Sequence, residues 1–287
     1  YDLLPKLHNH VLEALEVSLG VVTLAVKKAG ISRSTFYQWM NDDAEFKKNV
    51  EDKEALFHKI NVEGTMKLAV SATEMGVRRF VYMSSVKAVA ECSGKVPLNE
   101  SMCPFPENNY GVTKLKAEIN LLTLAKQKKI EVIILRAPLI YGPGVKANML
   151  TLIRACDKRF PLPLGKLSNR RSLIYLENIV DAIICLLEVK GLSEDVFFVS
   201  DGEPVSTPEL IKRIGASLGK SPRLFPCPIW ALHLFGVLIG KSEIINRLTG
   251  SLEINDQKIR GKIGWDPPFN MREGLEKTAL WYKNQEN

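Results

Sequence analysis

Apolar residues along this chain follow two different periods. Through "LHNHVLEALEVSL" and "VVTLAVKKA" they recur at three- and four-residue steps, the spacing that lines up one face of a helix. Gly30 interrupts the pattern, and Ser32 or Ser34 can cap a further helix over "STFYQWMND". Residues 1–54 therefore predict an all-helical segment. From about residue 55 the texture changes. "RRFVYMSS", "KIEVIILRAPLIYG" and "DVFFVSDG" are apolar runs with polar ends, as suits parallel strands buried on both faces. Helical patterns lie between them, in "NVEGTMKLAVSATEMG", "GVTKLKAEINLLTLAKQK" and "LENIVDAIICLLEV". Such alternation predicts an α/β fold whose ligands gather at the carboxyl ends of the strands. Ser84-Ser85 and Arg136-Ala137-Pro138 close the first two runs and should share that rim.

Composition narrows the class without choosing a function. The chain has 287 residues, 46% apolar and 25% charged, in the range of soluble globular proteins and long enough for a large core. Its longest apolar run, "PIWALHLFGVLIG" at 228–240, is too short to span a bilayer and predicts a buried helix. Five scattered cysteines without a CxxC pair argue against a disulfide framework or zinc site, and favour a reducing, cytoplasmic setting. Residues 1–59 carry eight Lys/Arg against nine Asp/Glu, so the net charge of +7 belongs to the rest of the chain. A basic body suits an anionic small substrate.

Candidate chemistry sits in "NNYGVTKLKAEI". Tyr110 and Lys114 are four residues apart, so both project from one face of the predicted helix. A free tyrosine has a pKa of about 10, too high for a base at neutral pH. An ammonium held nearby favours the phenolate. Ser85 can hold a substrate hydroxyl against the phenol oxygen while the proton leaves. A serine, tyrosine and lysine so arranged can take an alcohol proton as hydride leaves the same carbon.

The words "NVEGT", "RRFVYMSSV", "YGVTK", "LRAPLIYGPG", "RRSLIYLENIVDAI" and "SDGEPVSTPEL" occur in an order that resembles the NAD-dependent epimerase/dehydratase branch of the extended short-chain dehydrogenases, over about 230 residues. The resemblance implies a partial Rossmann-like parallel sheet over 55–145 and 172–205. It also implies a smaller substrate body from 146–171 and 206–287. Ser85, Tyr110 and Lys114 match the family's catalytic triad. Asn61, Ser84 and Pro138 match positions around its NAD, with Tyr110 and Lys114 also touching the cofactor. Asn148, Arg171 and, more loosely, Arg247 match positions that grip a nucleotide-sugar such as a UDP-sugar. Tyr175 and Asp181 are expected to be structural. Sugar 4,6-dehydratases of this branch place an Asp-Glu pair after the serine or threonine, where this chain has Val86 and Lys87. That difference leaves 4-epimerase chemistry as the implied reaction.

One expected element is missing. The family opens with a strand, a glycine-rich turn and a helix that receive the cofactor pyrophosphate. No GxxGxxG or GxGxxG occurs in these 287 residues, and "GASLGKS" and "GVLIGKS" each lack a residue of P-loop spacing. Cofactor binding is therefore expected to be impaired, and the uncovered sheet edge invites a homodimer. In that place "LAVKKAGISRSTFYQWM" resembles a homeodomain-like helix-turn-helix, with Gly30 at the turn. The segment has no positive excess, which argues against DNA binding through residues 20–40. Besides an epimerase, the alternatives are an inactive chimera and a helix-turn-helix regulator with a sugar-nucleotide-binding body.

Overall fold

The computed structural model describes residues 55–127, 130–238 and 242–286, with Thr35, Asp42 and Asp43 as isolated positions before them. The helix-turn-helix expectation for residues 1–54 falls almost wholly outside the described residues. A π-helical turn, Lys59–Gly64, leads into helix α1, Thr65–Glu74. Strand β1, Arg79–Ser85, ends in a 3-10 turn at Val86–Ala88, and helix α2 follows at Asn109–Gln127. Next come β2, Glu131–Ala137, β3, Leu139–Tyr141, and α3, Ala147–Asp157. Strand β4, Leu173–Tyr175, runs straight into α4, Leu176–Glu188, and β5 is Glu194–Phe198. Five helices complete the chain: α5, Thr207–Leu218; α6, Ile229–Leu238; α7, Ser242–Thr249; α8, Gln257–Ile263; α9, Met271–Glu286.

The three apolar runs become one parallel sheet in the order β1-β2-β5, with Ser85 opposite Ala137 and Arg136 opposite Phe198. Central β2 shows why its sequence is continuously apolar. Val132 and Ile134 face Ala117 and Leu121 of α2 and Ala69 of α1. Ile133 and Leu135 face Ile179, Ala182 and Leu186 of α4 on the other side. Alternate residues thus fill two cores, and neither face reaches water. Among the described residues, β1 has β2 as its only strand partner.

A third core lies away from this sheet. It joins Tyr141 and Tyr175 of the parallel β3-β4 pair to Met149 and Ile153 of α3, Ile211 and Ile214 of α5, and Leu275 of α9. Arg171 pairs through its backbone with Val205 and lies beside Leu252, closing this body below the sheet rim.

The 228–240 run corrects its expectation. Leu232 is buried, but Trp230 is 70% and Leu234 54% exposed, so the part of α6 whose side chains are described, 229–234, is not buried on every side. An apolar run carries no period, and therefore cannot say how many faces are covered. All five cysteines are free thiols. Among the described residues, no helix is long and apolar enough to cross a membrane, and no cluster of His, Cys, Asp and Glu could hold a metal ion.

Candidate active site

The carboxyl end of β1 and the first turn of α2 meet at the sheet rim. Ser85 is extended, and its Oγ accepts from the Lys87 amide at 3.2 Å, which caps the 3-10 turn. Asn108 starts α2, its Oδ1 accepting from the Gly111 amide at 2.8 Å. The same Asn108 donates to Glu91, whose carboxylate pairs with Lys87 at 3.0 Å. A chain of contacts therefore ties the turn after Ser85 to the helix that carries Tyr110.

Gly111 completes this junction. A Cβ there would lie 2.2 Å from the Lys87 carbonyl oxygen and 3.0 Å from the Pro106 side chain. Only glycine lets the two backbones come this close. The result is that the Tyr110 phenol hydrogen-bonds the Ser85 side chain. Lys114 follows one turn later on the same face, donating from Nζ to the Met83 carbonyl at 2.9 Å. Its ammonium stands 4.8 Å from the Tyr82 ring centre and 5.9 Å from that of Tyr110.

Burial pushes the Tyr110 phenol above its ordinary value, and the Ser85 hydroxyl partly opposes this. The Lys114 ammonium donates to the Met83 carbonyl on β1. Burial in turn pulls Lys114 down, with the Glu118 carboxylate resisting. The protein alone thus holds a neutral phenol beside a partly desolvated amine.

The remaining expected residues are distributed unevenly. Asn61, in the π-helical turn, donates to Thr113 Oγ1 at 3.2 Å, and Thr113 donates to the Tyr110 carbonyl at 3.0 Å. It thereby braces the helix under the triad. Ser84 is corrected: adjacent strand residues point to opposite faces, and its hydroxyl is buried at 2.5 Å from Glu118 rather than turned toward a cofactor. Pro138 is buried between β2 and β3. Asn148 is exposed in the first turn of α3, just after Ala147, whose φ of 52° is unusual for a residue with a Cβ. Arg171 is half-buried, with Nη1 3.5 Å from the Gly250 carbonyl. Arg247 lies on α7, and its side chain falls outside the described residues. Tyr175 bonds Glu177, and Asp181 accepts from the Trp265 indole, both as internal ties.

Several contributors were not singled out from the sequence. Asn108 and Glu91 hold the α2 terminus, while Glu118 and Arg136 form a buried pair beneath the triad. The step Tyr110, Lys114, Glu118 was one available signal, since all three share a helix face.

Ser85 at the end of β1 and Tyr110 and Lys114 on the first turns of α2 thus meet at the rim of a parallel sheet. The model of the NAD dependent epimerase/dehydratase family matches residues 43–199, and the chain belongs to that family. It is 40% identical over 248 residues to a UDP-glucose 4-epimerase of Vibrio cholerae, covering 83% of this chain and 74% of that protein. It is 26% identical to a dTDP-4-dehydro-6-deoxyglucose reductase of Escherichia coli, over 81% of this chain and 69% of that one. The fold is shared with a UDP-glucose 4-epimerase of Thermotoga maritima solved with UDP-glucose, at TM-score 0.63 and 22% identity, covering 82% of this chain and 72% of that one. A UDP-glucuronic acid 4-epimerase of Bacillus cereus solved with NAD aligns at TM-score 0.63 and 22% identity, over 78% of this chain and 65% of that one.

The donor set fits one end of an NAD molecule. Tyr110 and Lys114 offer a phenol and an ammonium at the strand ends, where a ribose and nicotinamide can be held. Among the 287 residues no GxGxxG or GxxGxxG word occurs.

Proposed function

We propose that this chain is built to epimerise a hydroxyl-bearing carbon of a nucleotide-sugar, with UDP-glucose or its N-acetylated relative as the substrate class. The observation that carries this reading is the meeting of Ser85, Tyr110 and Lys114 with no carboxylate after the serine. Val86 is buried there, and Lys87 is held by Glu91, so neither can drive an elimination. The 40% identity to the Vibrio cholerae UDP-glucose 4-epimerase supports the substrate class.

In this reading Ser85 holds the substrate hydroxyl and Tyr110 takes its proton as hydride leaves the same carbon; once the keto-sugar has turned, hydride returns to the opposite face of that carbon and Tyr110 returns the proton to its oxygen. NAD, when bound, supplies the acceptor and donor of the hydride. Lys114 would hold the cofactor's ribose and support the phenolate, Asn61 steadies their helix, and Pro138 would border the nicotinamide. Asn148, Arg171 and Arg247 hold the nucleotide diphosphate, where a guanidinium can make paired contacts to phosphate oxygens. They belong to a substrate body of 146–171 and 206–287. Because the burial-raised phenol needs a further positive charge to ionise near neutral pH, turnover depends on the cationic nicotinamide ring. Without a glycine-rich turn in this chain, that cofactor is weakly held.

Incubation with UDP-glucose and a graded excess of NAD, with UDP-galactose read by chromatography, tests the proposal. Turnover that rises with added NAD is the expected result. No product at saturating NAD by a folded protein overturns the epimerase reading. Turnover with cofactor retained through purification overturns the weak-binding part.

A further inference from the structure

Beneath the candidate triad lies a second charged group that chemistry at the rim does not touch. Glu118 and Arg136 form a forked ion pair, Nε to Oε1 at 3.1 Å and Nη2 to Oε2 at 2.6 Å, with both side chains almost wholly buried. Ser84 adds a hydrogen bond to Glu118 Oε1, and the Arg136 guanidinium stacks 5.6 Å from the centre of the Phe198 ring. One cluster therefore joins the ends of β1, β2 and β5 to the middle of α2.

Such a pair is a poor device for stability alone. Taking two ions out of water costs much of what their attraction returns, and apolar substitutes of similar size are often as stable. Its position suggests what else it does. Glu118 stands one turn from Lys114 on α2, and Ser84 lies between Met83, whose carbonyl receives Lys114, and Ser85. The groups facing Lys114 are Tyr110 and Glu118 from its own helix, and the Tyr82 ring and Met83 carbonyl from β1. Of these, Glu118 alone is a carboxylate. Arg136 binds that carboxylate from the β2 side and holds it in place.

We infer that Glu118 is a positioning residue that keeps Lys114 an ammonium inside the desolvated site, with Arg136 and Ser84 fixing its carboxylate. The inference rests on the Ser85–Tyr110–Lys114 reading above. An opposite charge nearby favours the charged form of an amine, while burial favours the neutral one. Here the two act on Lys114 in opposite directions. Removing the charge from Glu118 leaves burial unopposed.

Competitive acetylation of lysines across a pH series, read by peptide mass spectrometry, measures this without any turnover or cofactor. Glu118→Gln keeps the shape of the side chain, removes its charge and leaves one oxygen to accept from Arg136 or Ser84. The apparent pKa of Lys114 is expected to fall in this variant, while the profile of exposed Lys126 stays where it is. An unchanged Lys114 midpoint in folded Glu118→Gln overturns the inference. If Glu118→Gln does not fold, Glu118→Leu with Arg136→Met removes both charges together, and the same fall or its absence decides. Absence of epimerisation by the unaltered protein would count against the proposed function and would not move this readout.

Discussion

Gly111 lies so close to the Lys87 carbonyl that a side chain's first carbon would stand 2.2 Å from the oxygen. This contact sets the distance between Ser85 and Tyr110, because each residue is next to one side of it. Gly111→Ala must push the turn after β1 away from α2. A loss of about 1–3 kcal/mol is expected from the forced shift, read as a lower denaturant midpoint. Turnover should fall further than stability does, since two reacting groups separate.

Tyr110→Phe keeps the ring and removes the oxygen to which the proposed epimerisation assigns the proton transfer. Epimerisation should fall by a factor of about 100 or more, the range for losing a general base. Unfolding free energy should change by only about 1 kcal/mol, the size of one hydrogen bond to Ser85. Undiminished turnover would remove Tyr110 from the chemistry.

Arg136→Met should be far more damaging than loss of a surface partner. It leaves the Glu118 carboxylate buried without a cation, at a cost of about 3–5 kcal/mol. Adding Glu118→Leu should recover most of that loss. The exposed pair of Arg272 and Glu276 offers the contrast, with Arg272→Ala expected to change stability by less than about 1 kcal/mol in the same urea titration.

Buried phenols give the fold an alkaline limit. Tyr82, Tyr110 and Tyr141 are all raised above the ordinary value of 10.0, chiefly by burial. A group raised on folding contributes stability that is complete below its unfolded pKa and lost as pH climbs above it. Stability should therefore hold up to pH 10 as far as these groups decide, then fall. Absorbance of ionised tyrosine and loss of circular dichroism should share one transition; full ionisation of all seven tyrosines in a native fold would contradict this.

Thiol reactivity reports the third core. Cys156 has no exposed surface, and burial pushes its thiol up to about 11. Cys92 and Cys103 are exposed. A thiol reagent at pH 8 should modify Cys92 and Cys103 in the native protein and reach Cys156 only on unfolding.

Much of the sheet could be read from the chain because central parallel strands must be apolar on both faces, and "EVIILRA" admits little else. Strand β4 escaped, since "LIY" has three residues between a polar run and a helix and so shows no period. The spacing of Tyr110 and Lys114 on one helix face was legible, as it depends on local geometry alone. Direction of the Tyr110 shift was not. It turns on burial by elements distant along the chain. Ser84 misled because two neighbouring serines look equivalent until a strand's alternation sends one inward. The partnership of Glu118 and Arg136 spans a helix and a strand, and neither period records it.

Lys87 restricts how this scaffold could be redirected toward dehydration. A carboxylate at that position would face Glu91, four residues on, with the intervening cation gone and like charges repelling. Glu91 would then loosen its hold on Asn108, and the cap of the tyrosine-bearing helix would weaken. Building a dehydratase's Asp-Glu pair here demands concerted replacements at 86, 87 and 91, so a lineage changing one residue at a time would cross a handicapped intermediate.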